Sequence, residues 1–286
     1  MFDDPVMGEN SAVTVVGTGA IGSAVVRLLL RGGYDVTVWN RTAGRAAGLV
    51  AEGAVRVGSV QEAVSAGPLV LVTLKDHAAV RQVLAQADLS GRTVVGMYTG
   101  TAEQARQTAA QVADLGGQYL DAGVQASPES LGTATIGYSG SRSAFDRHRA
   151  VLDLLGTPRF VGEAPDAAAI WDLTLFGLWY DAQLGLLRAL DAVRAAGIDL
   201  AEFAGTASTQ LGHVLSAVPA TVAELRQATY PPGPATLAEH LTVVGHLIDA
   251  RADSPVGAGG LPEVAARIKA LIADGHDDEG LTATIG

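Results

Sequence analysis

The residues that most directly indicate chemistry are Gly17, Gly19 and Gly22, which are spaced as G-x-G-x-x-G. They follow a β-branched run at residues 13–16 (VTVV) and precede a helix-forming stretch at residues 20–30. In such a position the first glycine permits a tight turn, the second lets the backbone approach a pyrophosphate, and the third lets the helix pack closely on the strand. The helix N-terminus adds a positive pole. An ordinary tight turn is the alternative, but the strand–turn–helix context favours a dinucleotide site formed by Gly17, Thr18, Gly19, Ala20, Ile21 and Gly22.

The end of the second predicted strand indicates which dinucleotide binds. Enzymes that prefer NAD place an acidic residue here to bind the ribose 2′-hydroxyl. After residues 35–39 (DVTVW) this chain has Asn40, Arg41 and Thr42, with Arg45 one turn further on. A carboxylate would repel a 2′-phosphate, whereas amide, guanidinium and hydroxyl groups can donate hydrogen bonds to it. The segment therefore predicts NADPH, and the alternative is that both arginines are solvated surface cations.

A carboxylate lies within the most apolar long stretch of the chain. Residues 170–187 contain Asp172 and Asp181 and are interrupted by Gly177, which argues against a membrane span and favours a buried helix. Asp172 stands near the start of this helix, where it is either an N-cap or a functional group. On a helix that begins near residue 170, the side chains that share its face are Phe176, Trp179, Tyr180 and Gln183.

The order of the predicted elements indicates the fold. Strands are expected at residues 13–16, 35–39, 53–57, 69–74, 93–97, 119–121 and 134–139, with helices between several of them. This alternation predicts an α/β Rossmann domain with a doubly wound, mainly parallel sheet over residues 1–165. Residues 166–286 read as a long interdomain helix followed by a small all-α C-terminal domain. We expect the helices to break at Gly197, at Pro219 and at residues 231–234 and 255–262.

The composition limits the classes of function. The formal charge of −11 over 286 residues argues against a nucleic-acid partner. The absence of cysteine excludes disulfides and thiolate sites, so a redox reaction needs a bound cofactor. No cluster of His, Asp and Glu has metal-ligand spacing, and no G-x-S-x-G elbow occurs. The acidic N-terminus lacks the apolar segment of a secretory signal, so we expect a cytoplasmic protein without a membrane partner.

Several motifs together make the chain similar to the imine reductases, which are relatives of the β-hydroxyacid dehydrogenases. They lie at residues 16–22, 39–42 (WNRT), 74–76 (LKD), 99–101 (TGT), 119–121 (YLD), 128–140, 172–178 and 275–281 (GHDDEGL). The resemblance implies that Leu74, Lys75 and Thr99 also contact NADPH. It also implies a domain-swapped homodimer with active sites shared between subunits, and a position near the partner's cleft for His240 of the predicted helix at residues 235–250. From its own residue type His240 is equally a solvated or core histidine.

Departures from the β-hydroxyacid dehydrogenases point to the reaction. By resemblance, the lysine and asparagine of those enzymes fall at Asp172 and Phe176, and their Ser-Gly-Gly substrate segment reads QAS at residues 125–127. Loss of the lysine removes the group that polarises a carbonyl. The imine reductase family places Asp or Tyr at this position as proton donor, so the resemblance makes Asp172 the catalytic residue.

A carboxylate suits the reduction of a C=N bond because the reacting iminium is cationic. We therefore expect hydride transfer from NADPH to a cyclic imine or iminium, with Asp172 as proton donor or iminium stabiliser. The residues on its helix face, with Gln125 and His240, are expected to line the substrate pocket. The rival hypotheses are a β-hydroxyacid dehydrogenase-like oxidoreductase acting on carbonyls or alcohols, and a protein that binds NADPH without catalysis.

Overall fold

The computed structural model describes residues 12–286, so the N-terminal segment on which the absence of a secretory signal was argued lies outside the described residues. The strands are β1 Ala12–Val16, β2 Asp35–Trp39, β3 Val55–Arg56, β4 Leu69–Val72, β5 Thr93–Gly96, β6 Gln118–Val124, β7 Thr135–Gly140 and β8 Thr157–Gly162. The helices are α1 Ala20–Arg31, α2 Ala47–Ala51, α3 Val60–Ser65, α4 His77–Leu84, α5 Ala102–Asp114, α6 Arg142–Arg147, α7 Arg149–Leu155, α8 Ala167–Ala195, α9 Leu200–Gln227, α10 Leu237–Ala250 and α11 Leu261–Ala273.

The eight strands form one sheet in the order β3-β2-β1-β4-β5-β6-β7-β8. Every pairing is parallel except that of β6 with β7. The runs LVLV of β4 and TVVG of β5 are buried along their whole length, as expected for central strands covered by helices on both faces. The predicted doubly wound, mainly parallel sheet is confirmed. Its order reverses between β1 and β4, which opens a crevice at the carboxyl ends of these strands.

The strands expected from the sequence are all present, with ends that differ by a few residues. The sequence patterns did not predict β8 or the short helices α3, α6 and α7. In β8 (TPRFVG) a proline and an arginine interrupt the apolar pattern by which a strand is recognised. The short helices have six or seven residues each, too few for a periodic pattern to stand out.

One predicted helix break is wrong. Pro219 lies inside α9, which continues from Leu200 to Gln227. A proline inside a helix removes one backbone hydrogen bond and costs about 3 kcal/mol. A helix of 28 residues has many other bonds and good helix formers to offset that loss. The breaks at Gly197, 231–234 and 255–262 are confirmed as loops between helices.

The predicted helix at residues 170–187 is confirmed as part of α8, but its burial is not found within the single chain. Of the residues of α8, which is described in full, Ala168, Ala169 and Asp172 are buried. Large apolar side chains further along, among them Leu178 and Trp179, are exposed. The apolar composition of residues 170–187 predicted that they are buried, but composition does not show which part of a protein covers a helix. No helix within residues 12–286 is both long and apolar enough to cross a membrane.

The start of α8 also decides between the two readings of Asp172. The helix begins at Ala167, five positions earlier in the chain, so Asp172 is not its N-cap. The chain divides into two compact units after Phe176, within α8. The second unit has a small core of its own, formed by Leu237, Ile268, Leu271 and Ala283.

Candidate active site

The glycine turn leaves the N-terminus of α1 open to a ligand. Gly17 has a φ of 106°, which favours glycine, and its carbonyl accepts a hydrogen bond of 2.8 Å from the Thr73 hydroxyl. A Cβ on Gly22 would overlap that same carbonyl, so only glycine lets α1 pack this closely. A Cβ on Gly19, in contrast, would meet no atom of the described chain within 4 Å. Gly19 is the N-cap and supplies no side chain, so the first N–H groups of α1 remain available for an anion.

A cavity of about 520 Å³ lies at the carboxyl ends of the strands and begins at this turn. Its volume suits a small organic ligand or cofactor. Eleven of the thirteen residues predicted to bind the cofactor line it: Gly17, Gly19, Ala20, Ile21, Asn40, Arg41, Thr42, Arg45, Leu74, Lys75 and Thr99.

The other two predicted cofactor residues do not line the cavity. Gly22 serves the packing of α1 described above. Thr18 is buried, and its backbone N–H donates a hydrogen bond of 3.2 Å to Oδ1 of Asn40. Thr18 and Gly22 therefore have structural roles in the glycine turn, whereas Gly17 and Gly19 face the cavity.

The polar segment after β2 presents cations at one end of the cavity. Arg41 and Arg45 make no ion pair with any residue in the described part of the chain. Asn40 lines the cavity as expected, and its amide also ties the segment to the glycine turn: Oδ1 accepts from the backbone N–H of Thr18, and Nδ2 donates one N–H to the carbonyl of Thr42 at 2.9 Å. The groups that can still donate hydrogen bonds to an anion are the two guanidinium groups, the Thr42 hydroxyl and the second N–H of the Asn40 amide.

Sequence reasoning missed part of the cavity wall. The additional lining residues are Trp39, Thr73, Ala79, Gln82, Val83, Met97, Tyr98, Val124 and Ala126. Several of them directly follow a strand, and ligands of open α/β sheets bind at the carboxyl ends of strands. That rule, applied to β4, β5 and β6, would have pointed to Thr73, Met97, Tyr98 and Ala126.

Asp172 is joined to this cavity through two of its neighbours. Its carboxylate accepts a hydrogen bond of 2.6 Å from Nε2 of Gln125, which lies between the lining residues Val124 and Ala126. The lining residue Thr99 also donates a hydrogen bond to it. Asp172 is 3% exposed. Burial raises the pKa of the Asp172 carboxyl, and the hydrogen bonds from Gln125 and Thr99 oppose this by stabilising the carboxylate.

One face of β6 holds Asp172 in place. Residues two apart on a strand point to the same side, so Tyr119, Asp121, Gly123 and Gln125 form one row. A Cβ on Gly123 would come within 2.8 Å of the Asp172 Cβ, so the missing side chain makes the space that Asp172 occupies. Gln125 also donates to the backbone carbonyl of Asp172 at 3.1 Å. The position of the carboxylate is thus fixed by the strand.

The remaining predicted pocket residues lie further along the chain. Phe176 is half-buried and ends the first compact unit. Trp179 and Tyr180, one turn later on α8, are exposed and contact each other edge to face with ring centroids 5.0 Å apart. Gln183 is half-buried on the same helix. His240, on α10, is half-buried.

Comparison with known proteins identifies the family. Residues 12–163 match the model of the NAD binding domain of 6-phosphogluconate dehydrogenase, and residues 164–286 match the C-terminal domain of NADPH-dependent reductive aminase-like proteins. An imine reductase structure from Bacillus cereus shares 31% identity and a TM-score of 0.87, over 96% of this chain and 97% of that one. The chain belongs to the imine reductase and reductive aminase family.

Two further members of the family show the same extent of similarity. An NADPH-dependent reductive aminase from Aspergillus oryzae is 29% identical over 282 residues, which is 96% of this chain and 95% of that protein. The structure of an imine reductase from Aspergillus terreus, in complex with NADPH4 and dibenz[c,e]azepine, shares 28% identity and a TM-score of 0.88, over 96% and 98% of the two chains. The family's proteins are NADPH-dependent oxidoreductases, and the resemblance stated from the sequence motifs is confirmed.

Gln125 provides a direct test of the environment of Asp172. Gln125→Leu removes a hydrogen bond that stabilises the carboxylate, so the pKa of Asp172 should rise further. The measurement is the titration of the aspartate carboxyl carbons by carbon-13 NMR, with the Asp172 signal assigned from its absence in Asp172→Asn. Gln118→Leu is the matched control, because Gln118 lies on the other face of β6 and accepts from Arg147 at 3.1 Å. An equal shift in both variants, or none in Gln125→Leu, would contradict the assignment.

Proposed function

We propose that this chain reduces the C=N bond of a cyclic imine or iminium to an amine, with Asp172 as the catalytic carboxyl. The observation that carries the proposal is a buried carboxyl group joined through Thr99 and Gln125 to the wall of the predicted NADPH cavity. An anion at this place stabilises a cationic iminium, and its electrostatic effect is large because the group is shielded from water.

The residues of the cavity fit NADPH. The open N–H groups of α1 at Gly19 suit the pyrophosphate, and Arg41, Thr42 and Arg45 supply donors for the 2′-phosphate. The same cavity extends to Leu74, Lys75 and Thr99. When bound, NADPH supplies the hydride, and the protein's part is to orient the acceptor and exclude water.

Asp172 has two roles in this proposal, according to its state of protonation. As a carboxylate it favours the iminium over the neutral imine. As a carboxylic acid it can protonate the substrate nitrogen, and the raised pKa keeps a larger share of the acid form than an exposed aspartate has at the same pH. An acidic group here would repel a carboxylate substrate, which disfavours the β-hydroxyacid dehydrogenase alternative.

Asp172→Asn tests the catalytic role. We expect kcat for a cyclic imine to fall by about 10²- to 10⁴-fold, because a proton donor and a negative charge are both lost, while the Kd for NADPH stays the same. Asp146→Asn, which changes an exposed aspartate paired with Arg142, is the control and should keep full activity. Retention of activity within about twofold in Asp172→Asn would mean that the reaction does not use this carboxyl.

Arg41→Ala and Arg45→Ala test the preference for NADPH. A hydrogen bond to a charged group contributes about 1.5–3 kcal/mol, so each change should weaken NADPH binding by about tenfold or more and leave NADH binding nearly unchanged. Fluorescence titration with both dinucleotides measures the ratio. Arg31→Ala, at the far end of α1, is the control. Equal losses for NADPH and NADH would place the 2′-phosphate elsewhere.

The long helices support a homodimer. Val214, Leu215 and Val218 on α9 are 63%, 69% and 51% exposed, and no residue of this fully described helix is buried. Monomers rarely leave an apolar surface of this kind uncovered. We assign its cover to a second copy of the chain, with Trp179, Tyr180, Gln183 and His240 completing the substrate pocket as the family resemblance implies. In this proposal the boundary near residue 165 separates the Rossmann domain from the helices that form the dimer. A cytoplasmic location remains a prediction from the sequence.

Leu215→Glu tests the homodimer. A charge in the apolar face of α9 should shift the protein from dimer to monomer in light scattering after size-exclusion chromatography, because an unpaired buried charge is costly. Imine reduction should fall with it. Val55→Glu replaces a similarly exposed apolar residue of β3 and should leave the dimer intact. A wild-type protein that is monomeric at micromolar concentration would overturn the assignment.

A further inference from the structure

The N-terminus of α8 is held by two side chains that face each other in the sheet. Asp121 of β6 and Ser139 of β7 are paired in the antiparallel ladder. The Ser139 hydroxyl oxygen accepts a hydrogen bond of 2.9 Å from the backbone N–H of Ala168, and the Asp121 carboxyl accepts one from the backbone N–H of Ala169. Two of the N–H groups that a helix leaves unpaired in its first turn are thereby satisfied by adjacent strands.

This arrangement places Asp121 and Asp172 along the same contact between β6 and α8. Asp121 and Gly123 lie on the same face of β6, and Gly123 is in contact with Asp172. On α8, Ala169 and Asp172 are three positions apart and therefore share a face. The two aspartates are therefore neighbours along the same contact between strand and helix, and the charge of Asp172 acts on the Asp121 carboxyl.

The groups around Asp121 come from each element packed against it. Tyr119, on its own strand, donates a hydrogen bond of 2.9 Å to Oδ1, and the Tyr119 hydroxyl contacts that of Tyr98 at 2.9 Å. Asp172 faces it from α8. Asp166, just before α8, is the next acidic neighbour, but it is paired with Arg106. Asp121 itself makes no ion pair with a cation in the described part of the chain.

We propose that Asp121 is a positioning residue of the catalytic site, which anchors the start of α8 and forms a buried carboxyl pair with Asp172. The inference rests on the proposed catalytic role of Asp172. It adds that the protonation of this carboxyl depends on its neighbour Asp121. Two buried carboxylates on one contact repel each other when both are ionised, so the pair keeps its second proton to a higher pH than an isolated aspartate would.

The acid–base properties of Asp121 agree with this geometry. Burial raises the pKa of Asp121, the charge of Asp172 raises it further, and the hydrogen bond from Tyr119 opposes both, with a result of about 7. Below that pH the pair carries one negative charge, and above it the pair becomes doubly ionised. The proton of the pair is therefore present at neutral pH, when a proton must be given to the substrate nitrogen.

The test follows the titration of Asp121 itself, in the protein with all its elements intact. Carbon-13 NMR of the aspartate carboxyl carbons should show the Asp121 signal titrating near pH 7. In Asp172→Asn the like charge is gone, so this midpoint should fall by about one pH unit or more. The signal is assigned from its absence in Asp121→Asn, and Asp172→Asn keeps Asp121 in place if Asp121→Asn does not fold.

Ser139→Ala separates a charge effect from a structural one. This variant removes the other acceptor of the α8 N-terminus without changing any charge, so it should leave the midpoint of Asp121 where it is. In Asp121→Asn, the pH at which kcat falls should move to lower pH, whereas in Ser139→Ala it should not move. A midpoint of Asp121 below about 5, or one that is the same in wild type and Asp172→Asn, would overturn the carboxyl pair.

The outcomes also separate this inference from the proposed function. If the protein reduces no imine while the titration midpoint of Asp121 still depends on Asp172, the carboxyl pair exists but the proposed reaction is wrong. If imines are reduced and the midpoint is independent of Asp172, the reaction stands and the pair is wrong.

Discussion

The rest of the site depends on the contact between the first turn of α8 and the strands β6 and β7. A helix of 29 residues with few buried side chains needs a fixed starting point, and its first turn has one because Ser139 and Asp121 accept two consecutive N–H groups. The antiparallel pairing of β6 with β7 is what places these two side chains opposite each other. A parallel pairing would shift them apart. The single reversal of strand direction in the sheet thus sets where the catalytic helix begins.

The parallel part of the sheet performs the other task, which is to open the crevice. Between β1 and β4 the connections leave in opposite directions, and the cavity forms where no helix crosses the strand ends. Asp172 reaches this cavity only because β6 extends beyond β5 and carries Gln125 to its edge. The cofactor cavity is therefore built at the ends of several strands of one sheet, and β6 joins it to the catalytic carboxyl on α8.

The sequence predicted those features that depend on local patterns. The Rossmann sheet and the glycine turn followed from residue type and spacing, because buried parallel strands are apolar throughout and glycine has few substitutes at positive φ. Features that arise from tertiary contacts were not predictable. The continuation of α9 through Pro219 depends on the length of that helix, and the exposure of α8 depends on what covers it.

Asp121 shows the same limit at the level of one residue. It was part of a motif, but its role depends on Ala169 and Asp172, which lie far away in the chain. Likewise, the position of Asn40 after β2 predicted a phosphate ligand, but it did not predict the second role of this side chain in joining two loops. Only the folded chain shows that its amide is engaged with Thr18 and Thr42.

The engagement of Asn40 has a consequence for the evolution of cofactor choice. Its side chain joins the glycine turn to the loop that carries Arg41, so the two ends of the cofactor site form one mechanical unit. An aspartate at this position, the residue by which related folds select NADH, would still accept from Thr18. It could no longer donate to the Thr42 carbonyl, and the arginine loop would lose its tether. A lineage that changed its coenzyme would therefore have to rebuild the loop as well as replace the charge.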